Sequence, residues 1–485
     1  MSAVAPSITA DPSPAARDAA PQGDAAPPRD AAPSRDAGPV APAVPRAKKL
    51  RGLMGRNIWA LADQALISGA NFVTLILIAW ALDDKTEFGR FSTVYSVLLF
   101  CNILQSTLIT QSHNVLGATR SGDDYRLYTS STAFGQLALF AIQVLLVLPV
   151  ATLASMQGWA TASLIWALVP AVFGWQLQEL VRRVLYTEGR YGAAFANDLI
   201  GFGGQMLVLA GMFFLHARMG YTFNGTIALL VTAATTALAG AVGLWQLRAS
   251  LSWRFGRREL AENWHFGKWL LGGEVLGFFS SLQMQVLWAA LLVGTAASAD
   301  LRAAQILFGP MRVITFFLGT VLPIRFARAL HERGTLAMHA NVRSVYAVLA
   351  PLVGVYCALL ALFPRPLLKL IYPDEFASNE AVVVLMLYAA TAFLGYMQMV
   401  MAAALTAARQ TRYIFAGSVC GCAIGLAASP LCIWRFGAAG GILSIMATTL
   451  VVTALYVLAY RRQSARDFGS SNSGSIAGRG AEVTA

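Results

Sequence analysis

Apolar residues along the chain are grouped in blocks of about 20, and the short stretches between the blocks carry most of the charge. A helix of about 20 apolar residues crosses the roughly 30 Å hydrocarbon core of a bilayer. Each block is therefore predicted to be a transmembrane helix, and the chain to be an all-α polytopic membrane protein. The twelve blocks lie at residues 57–82, 91–112, 127–152, 159–181, 194–216, 222–247, 266–292, 303–325, 343–363, 380–405, 413–434 and 438–460.

The composition indicates the same class of protein. Hydrophobic residues make up 57% of the chain and charged residues 12%, whereas soluble domains carry about 25% charged residues. The net charge of +12 is unevenly distributed: 24 lysines and arginines lie in or near the predicted cytoplasmic segments, against 7 in the external loops. This asymmetry predicts that both termini are cytoplasmic. Membrane lipids are expected partners, and nucleic acid is not.

Twelve spans suggest two halves of six, an arrangement common in transporters. The segment between the halves mixes aromatic and arginine side chains, which suits the headgroup layer of a membrane. Both ends of the chain are predicted to be disordered tails, because they have few large apolar side chains to bury. The predicted boundaries are 1–50 for the first tail, 51–247 for the first six-helix lobe, 248–265 for the linker, 266–463 for the second lobe and 464–485 for the second tail.

Two acidic residues occupy matching places in the first helix of each half. Shifting the first half by 211 positions aligns residues 63–82 with residues 274–293 and brings Asp63 onto Glu274. A carboxylate inside a membrane is costly and usually faces the bundle interior or a water-filled cavity. Asp63 and Glu274 are therefore candidate ion-coupling residues, although coincidence explains a single matched pair equally well.

A single arginine, Arg312, interrupts the apolar run "ILFGPMRVITFFLGTVLP" at residues 306–323. Insertion of a central arginine costs about 2.5–3.5 kcal/mol. Gly309 and Pro310 precede it, and proline can open a helix locally, as happens where transporters bind substrates. Because a guanidinium offers a charged, bidentate fork to a phosphate, Arg312 is predicted to bind an anionic substrate group. The alternative is a structural salt bridge with Glu274 or Asp63.

Further polar residues within or beside the spans are candidate site residues. Amides in spans two and seven can hydrogen-bond sugars, but hydrogen bonds between helices explain them at least as well. Arginines at the cytoplasmic ends of spans four and eight form a predicted rim, for which snorkelling to the membrane surface is a sufficient explanation. The amides are Asn102, Gln105, Gln283 and Gln285, and the rim arginines are Arg182, Arg183, Arg325 and Arg328.

The sequence contains no pattern typical of a metal site or of soluble enzyme chemistry. Cys420 and Cys422 form C-x-C without a nearby histidine or second cysteine pair, so no metal site and no cofactor are predicted. The glycine-rich "GFGGQ" at residues 201–205 lies inside a span and follows no strand. We expect it to allow close helix packing and not to bind phosphate.

Four segments carry a recognisable pattern. They are the first span, with Gln64, Ser68, Asn71 and Phe72, followed by "FGRFSTVYSVLLF" (88–100); "LQELVRRVLYTEGRY" (177–191); "LLKLIYPDEFASNEAVVVLMLY" (367–388); and "RFGAAGGILSIMAT" (435–448). In this order and spacing, over about residues 52–462, they resemble bacterial polysaccharide flippases. Those proteins belong to the multidrug/oligosaccharidyl-lipid/polysaccharide exporter superfamily.

The resemblance implies two lobes around a central cavity that opens alternately to each side of the bacterial cytoplasmic (inner) membrane. It also implies a substrate in which an oligosaccharide is joined through diphosphate to a polyprenyl lipid. The expected function is a flippase for exopolysaccharide or O-antigen assembly, with a polysaccharide polymerase or export machinery as further partners. No bond is made or broken, so no enzyme activity is expected.

Two other functions remain open. A cation-coupled multidrug exporter of the same superfamily is one, because such exporters commonly carry an acidic residue in the first helix, and Asp63 occupies such a position in this chain. A polytopic glycan polymerase or ligase is the other. Such enzymes generally have a large external loop, whereas the longest external loop here is predicted to span only residues 364–379.

Overall fold

The computed structural model describes residues 46–481, apart from Asp83 and Trp253. Side chains are described between Trp59 and Arg462, with the exception of residues 60, 61, 83, 253, 312, 313, 316, 317 and 320. The predicted first tail therefore lies outside the described residues, except for its last five, which begin a helix. The described residues from Leu53 onward form one compact unit.

The described part of the chain is helical and contains no strand. Two short π-helical segments, Ser106–Thr110 and Leu199–Gly203, lie within longer helical stretches. The α-helices are α1 Arg46–Ala81, α2 Lys85–Gln105, α3 Gln111–Leu116, α4 Gly122–Met156, α5 Ala162–Thr187, α6 Tyr191–Asp198, α7 Gly204–Met219, α8 Gly225–Gln246, α9 Arg257–Phe279, α10 Leu282–Leu292, α11 Thr295–Leu307, α12 Gly309–Leu362, α13 Pro364–Ile371, α14 Asn379–Ala407 and α15 Thr411–Ala481.

Nine helical stretches of the described residues are long and apolar enough to cross a membrane, or ten if α9 and α10, bent by 49°, count as one span. Two of these stretches, Val321–Leu362 of α12 and Thr411–Arg462 of α15, are too long for one crossing. The shorter has 42 residues, which rise about 63 Å at 1.5 Å per residue. They are interrupted at Gly334 and Gly437, whose φ angles of 76° and 60° require glycine.

The chain reverses direction at both interruptions. Across Gly437, the hydroxyl oxygens of Ser429 and Ser444 lie 2.7 Å apart, and Tyr456 donates a 3.4 Å hydrogen bond to the carbonyl of Ile414. Across Gly334, Arg325 donates to the side chain of Asn341 at 3.1 Å. Each long helix is therefore a hairpin of two helices. With these two hairpins, all twelve predicted spans are helical and the predicted all-α fold is confirmed.

The two halves of the chain form the predicted pair of six-helix lobes. In the first lobe α5 packs against α8, α4 and α2, and in the second α14 packs against α12 and α15. Helices α2 and α11 make the main contact between lobes, while α9 extends from the second lobe onto α4. Close packing uses glycine: a Cβ on Gly174 of α5 would lie 2.6 Å from the carbonyl oxygen of Ala233 on α8.

The "GFGGQ" stretch also serves close packing, as predicted. Its first glycine, Gly201, lies in the second π-helical segment, and a Cβ there would stand 2.3 Å from the Nε2 atom of Gln178. The side chain of Gln178 occupies that space and donates a 2.8 Å hydrogen bond to Asp198. A glycine at this position therefore leaves room for a buried polar contact between two helices.

The segments outside the lobes are partly helical. Helix α9 begins at Arg257, inside the stretch 248–265 that was predicted as a linker. Trp264 on its first turns is 57% exposed, as a side chain in the headgroup layer would be. At the other end, the backbone of α15 continues as helix to Ala481, within the stretch 464–485 that was predicted as a tail.

The charge asymmetry gives a topology prediction. A reporter active only on the external side is expected to be inactive when fused after Arg462 and active when inserted within residues 374–379, because that loop joins α13 to α14 at the predicted external end. Enzyme activity of the two fusions measures this directly. The reverse pattern at either site would overturn the predicted orientation.

Candidate functional site

A cavity of about 910 Å³ lies between the two lobes. Helices α1, α2 and α5 of the first lobe line it, together with α9, α10, α11, α14 and the first turns of α12 from the second. Its wall carries amides from both lobes and four charged residues. The amide residues are Gln64, Asn71, Asn102, Gln105, Gln283 and Gln305, and the charged residues are Glu179, Arg182, Glu274 and Arg302.

The side chain of Arg302, at the cavity wall, connects the two lobes through hydrogen bonds. It lies on α11, is 2% exposed, and its Nη2 donates to the hydroxyl of Ser96 at 2.6 Å and to the carbonyl of Ser92 at 3.2 Å, both on α2. Its Nη1 donates to Gln305 at 2.6 Å. The guanidinium carbon lies 5.4 Å from the ring centroid of Tyr95, a distance typical of a cation–π contact. The guanidinium is thus held in one orientation beside the cavity.

The amides differ in how far their hydrogen bonds are satisfied within the protein. Gln105 donates to the carbonyl of Gln176 at 2.6 Å, and Gln305 donates to Gln283 at 3.4 Å. Both polar atoms of the Asn102 side chain are buried and have no hydrogen-bond partner among the described residues. Buried polar atoms are usually paired, so Asn102 offers a donor and an acceptor to a molecule in the cavity.

A buried ionic cluster lies in the first lobe, where α1, α5 and α6 meet. Arg182 is its centre: its guanidinium donates to Glu179 at 2.9 Å and lies 3.6 Å from a carboxylate oxygen of Asp198 and 3.9 Å from one of Asp63. Tyr186 donates to Asp63 at 2.5 Å. The side chains of Asp63 and Asp198 are 1% and 0% exposed, so these two carboxylates are buried, whereas Glu179 and Arg182 also line the cavity.

The end of the cavity that is predicted to face outward is closed by contacts between the lobes. Lys85 at the start of α2 pairs with Asp300 of α11 at 2.6 Å, and both side chains are largely buried. A Cβ on Gly89 would lie 1.7 Å from the carbonyl oxygen of Thr295, so α2 and α11 touch through backbone there. Phe88 packs edge-on against Phe376 of the loop after α13, with ring centroids 5.5 Å apart.

The structure brings some of the predicted site residues to the cavity. Asn102, Gln105, Gln283, Glu274 and Arg182 line it. Glu274 is exposed in the cavity, whereas its sequence counterpart Asp63 is buried in the ionic cluster. The two aligned carboxylates therefore have unlike surroundings.

Other predicted residues lie elsewhere. Gln285 faces into the second lobe, where it donates to the hydroxyl of Ser429 at 3.0 Å. Arg183 pairs with Glu179 at 2.7 Å, in the same cluster as Arg182. Arg325 and Arg328 line a separate cavity in the α12 hairpin.

Arg312 lies in the first turns of α12, and its side chain is outside the described residues. The predicted opening of the helix before it is present, since Phe308 separates α11 from α12 and Pro310 lies in the first turn of the new helix, which begins at Gly309. Gly309 and Thr315, on either side of Arg312 in sequence, line the cavity.

Three residues of the site were missed by sequence reasoning. Arg302 falls just outside the predicted eighth span, which starts at residue 303, because its neighbours Asp300 and Gln305 lower the local hydropathy. Asp198 lies inside the predicted fifth span beside the glycine-rich stretch, and Glu179 lies inside the predicted fourth span close to Arg182 and Arg183. The signal that was available for Arg302 is a basic residue within the alanine-rich stretch 295–307. Among the described residues, no group of three acidic, histidine or cysteine side chains is placed to hold a metal ion.

No family model and no curated protein matches the chain. Solved structures do. The inward-facing conformation of a multidrug resistance MATE family transporter of the MOP superfamily is 14% identical and covers 84% of this chain and 96% of its own, with a TM-score of 0.67. The inward closed conformation of the lipid II flippase MurJ is 10% identical, covers 83% and 87%, and has a TM-score of 0.58. A MATE structure in the straight conformation is 13% identical, covers 84% and 94%, and has a TM-score of 0.56.

These likenesses, taken with the two lobes and the cavity between them, define the class: the protein has the fold of a multi-pass membrane transporter. More particularly, the fold is that of the MATE family transporters and of the MurJ flippase, whose structures the chain resembles. At such low identity the likeness shows the fold alone.

Proposed function

We propose that the protein is a flippase that moves a polyprenyl-diphosphate-linked oligosaccharide from the cytoplasmic to the external leaflet of the bacterial inner membrane, for exopolysaccharide or O-antigen assembly. Both termini are cytoplasmic in this proposal, as the positive-inside pattern predicts. The sugar and diphosphate cross through the central cavity while the prenyl chain stays in lipid. A polysaccharide polymerase or export machinery would receive the product.

The observation that carries this proposal is the lining of the cavity by amides from both lobes together with an oriented guanidinium. A side-chain amide offers both donors and an acceptor, which matches the hydroxyl groups of a sugar. Asn102 has both kinds of atom unused among the described residues. Arg302 reaches the same cavity, and a guanidinium is the side chain best shaped for a phosphate. The volume of about 910 Å³ lies near the top of the range of about 300–1,000 Å³ typical of ligand pockets.

A cation-coupled multidrug exporter is the second candidate, and the ionic cluster favours it. The three carboxylates of Asp63, Glu179 and Asp198 face the two guanidinium groups of Arg182 and Arg183. One negative charge is thus left over within the cluster, which suits a bound proton or cation. Ion coupling also fits a flippase, so the cluster does not by itself decide between the two functions.

Leaflet-resolved labelling of lipid-linked sugar in a deletion strain separates these candidates. We expect the glycan to accumulate on the inner leaflet, and the intact gene to restore its export. Arg302→Ala and Arg312→Ala should each lower export about tenfold to hundredfold, because a charge-assisted hydrogen bond contributes about 1.5–3 kcal/mol. The lysine variants should keep partial activity, since they retain the charge and lose the fork.

Membrane abundance of each variant is measured beside export, with Arg343→Ala as a control, since Arg343 is exposed and lies outside the cavity. Unchanged leaflet distribution combined with drug sensitivity in the deletion strain would favour the exporter. Full recovery of Arg312→Ala by Glu274→Gln or Asp63→Asn would show instead that Arg312 is a structural salt-bridge partner.

A further inference from the structure

A second cavity, of about 330 Å³, lies in the helical hairpin that α12 forms around Gly334. It shares no lining residue with the central cavity. Its position at the Gly334 turn puts it at the end of the bundle that the charge pattern predicts to be cytoplasmic. The proposed function makes no use of it.

The walls of this cavity are apolar at one end and basic at the other. Val321 and Ile324, which are 37% and 60% exposed, line the end nearer the middle of the span. Arg325, Arg328 and Arg333 line the end nearer the turn. At 1.5 Å per residue, Val321 and Arg328 are about 10 Å apart along the helix axis, and they share one face of it. An apolar stripe thus leads into a basic pocket.

The basic end has an excess of positive charge that acidic side chains of the described residues do not neutralise. Arg325 donates to Asn341 at 3.1 Å across the turn, so it is held against the second helix of the hairpin. Arg328 and Arg333 make no ion pair and no side-chain hydrogen bond with any described residue. Glu332 is the one acidic side chain among the lining residues, against three arginines.

The rim arginines of α5 differ from those of the α12 cavity in being paired with acidic side chains. Arg182 and Arg183 both pair with Glu179, so their charge is neutralised inside the first lobe. An arginine that only orients a span needs no cavity, whereas Arg325, Arg328 and Arg333 converge on one. Basic pockets beside transmembrane helices at the cytoplasmic side are sites for anionic lipid headgroups.

We propose that the α12 cavity binds the phosphate headgroup of a membrane lipid. The phosphate accepts hydrogen bonds from Arg325, Arg328 and Arg333, and the hydrocarbon chain lies along Val321 and Ile324. Charged hydrogen bonds of this kind are short and strong. The site is independent of the substrate that the central cavity carries, so it does not rest on the proposed function.

Native mass spectrometry of the purified full-length protein tests the proposal, with phosphatidylglycerol as the first probe. Each arginine near anionic lipid contributes about fivefold to affinity, so Arg328→Ala combined with Arg333→Ala should weaken binding roughly 25-fold. Arg343→Ala is the matched control, because Arg343 is exposed on the same hairpin and does not line the cavity. It should leave the bound fraction unchanged.

Two further probes and one further variant identify what the cavity recognises. Polyprenyl diphosphate that outcompetes phosphatidylglycerol would make the cavity a loading site for a lipid carrier, and the reverse order would make it a site for bulk phospholipid; either result supports the proposal. Inorganic phosphate should bind at least tenfold more weakly than both lipids, and Ile324→Ser should weaken only the lipids. Equal loss in Arg343→Ala, no loss in the double variant, or equal binding of inorganic phosphate would overturn it.

Discussion

Replacing Arg182 with alanine is expected to remove most of the protein from the membrane. The side chain of Arg182 is 14% exposed and forms ion pairs with Glu179, Asp198 and Asp63. The side chains of these three residues are 15%, 0% and 1% exposed, respectively. Removing one partner of a buried ion pair costs about 3–5 kcal/mol, because it leaves uncompensated charge in a low-dielectric interior. A domain is stable by only about 5–15 kcal/mol, so a loss of this size should be visible as low abundance and a lower melting temperature in detergent.

Arg183→Ala is the matched control for this prediction. Arg183 is the next residue on α5, pairs with Glu179 alone and is 37% exposed, so its removal should cost little. Adding Asp198→Asn and Asp63→Asn to Arg182→Ala should recover abundance, since the two buried aspartates then carry no charge and Glu179 keeps its ion pair with Arg183. A single Arg182→Ala variant with wild-type abundance and melting temperature would show that the cluster does not hold the first lobe together.

The helical spans were predictable because hydropathy is a local property. Each span carries enough apolar side chains to be recognised within about 20 residues, whatever it packs against. The hairpins were predictable for the same reason, although only the structure shows that Gly334 and Gly437 are the residues at which α12 and α15 reverse. The extent of the eighth span was not predictable in this way. It begins at Thr295, eight residues before its predicted start, because α11 carries polar residues that lower its hydropathy and that tertiary contacts satisfy.

The site was only partly predictable, because a buried polar group depends on partners that are distant in sequence. Arg302 is bonded to Ser96, 206 positions away, and Asp63 to Tyr186, 123 positions away. Neither pairing leaves a trace in the spacing of nearby residues. Asn102 and Gln105 were recognisable because an amide inside an apolar span stands out by itself. Gln285 stood out equally, but it faces Ser429 instead of the cavity. An amide inside an apolar span therefore indicates a polar contact but does not identify the partner.

Opening of the cavity toward the predicted external side is expected to require the Lys85–Asp300 ion pair to break. The pair joins the two lobes at 2.6 Å, and the side chains of Lys85 and Asp300 are 15% and 2% exposed. Loss of one partner of such a pair costs about 3–5 kcal/mol in the state that contains it. If the open state lacks the contact, Asp300→Ala shifts the balance between closed and open by about two to four orders of magnitude. Transport should then fail, because the protein no longer closes on that side.

Labelling from outside measures this shift. With the native cysteines replaced and a cysteine at Asn102 in the cavity wall, a membrane-impermeant thiol reagent should react slowly in the parent and much faster in Asp300→Ala. Lys85→Asp should react faster still, since two carboxylates then face each other, and the exchange Lys85→Asp with Asp300→Lys should restore slow labelling. Lys369→Met is the control: its 3.7 Å pair with Asp374 lies on the same predicted side but is exposed, so it should change nothing. Equal labelling rates in the parent and in Asp300→Ala, at equal abundance, would mean that this ion pair does not keep the outer end closed.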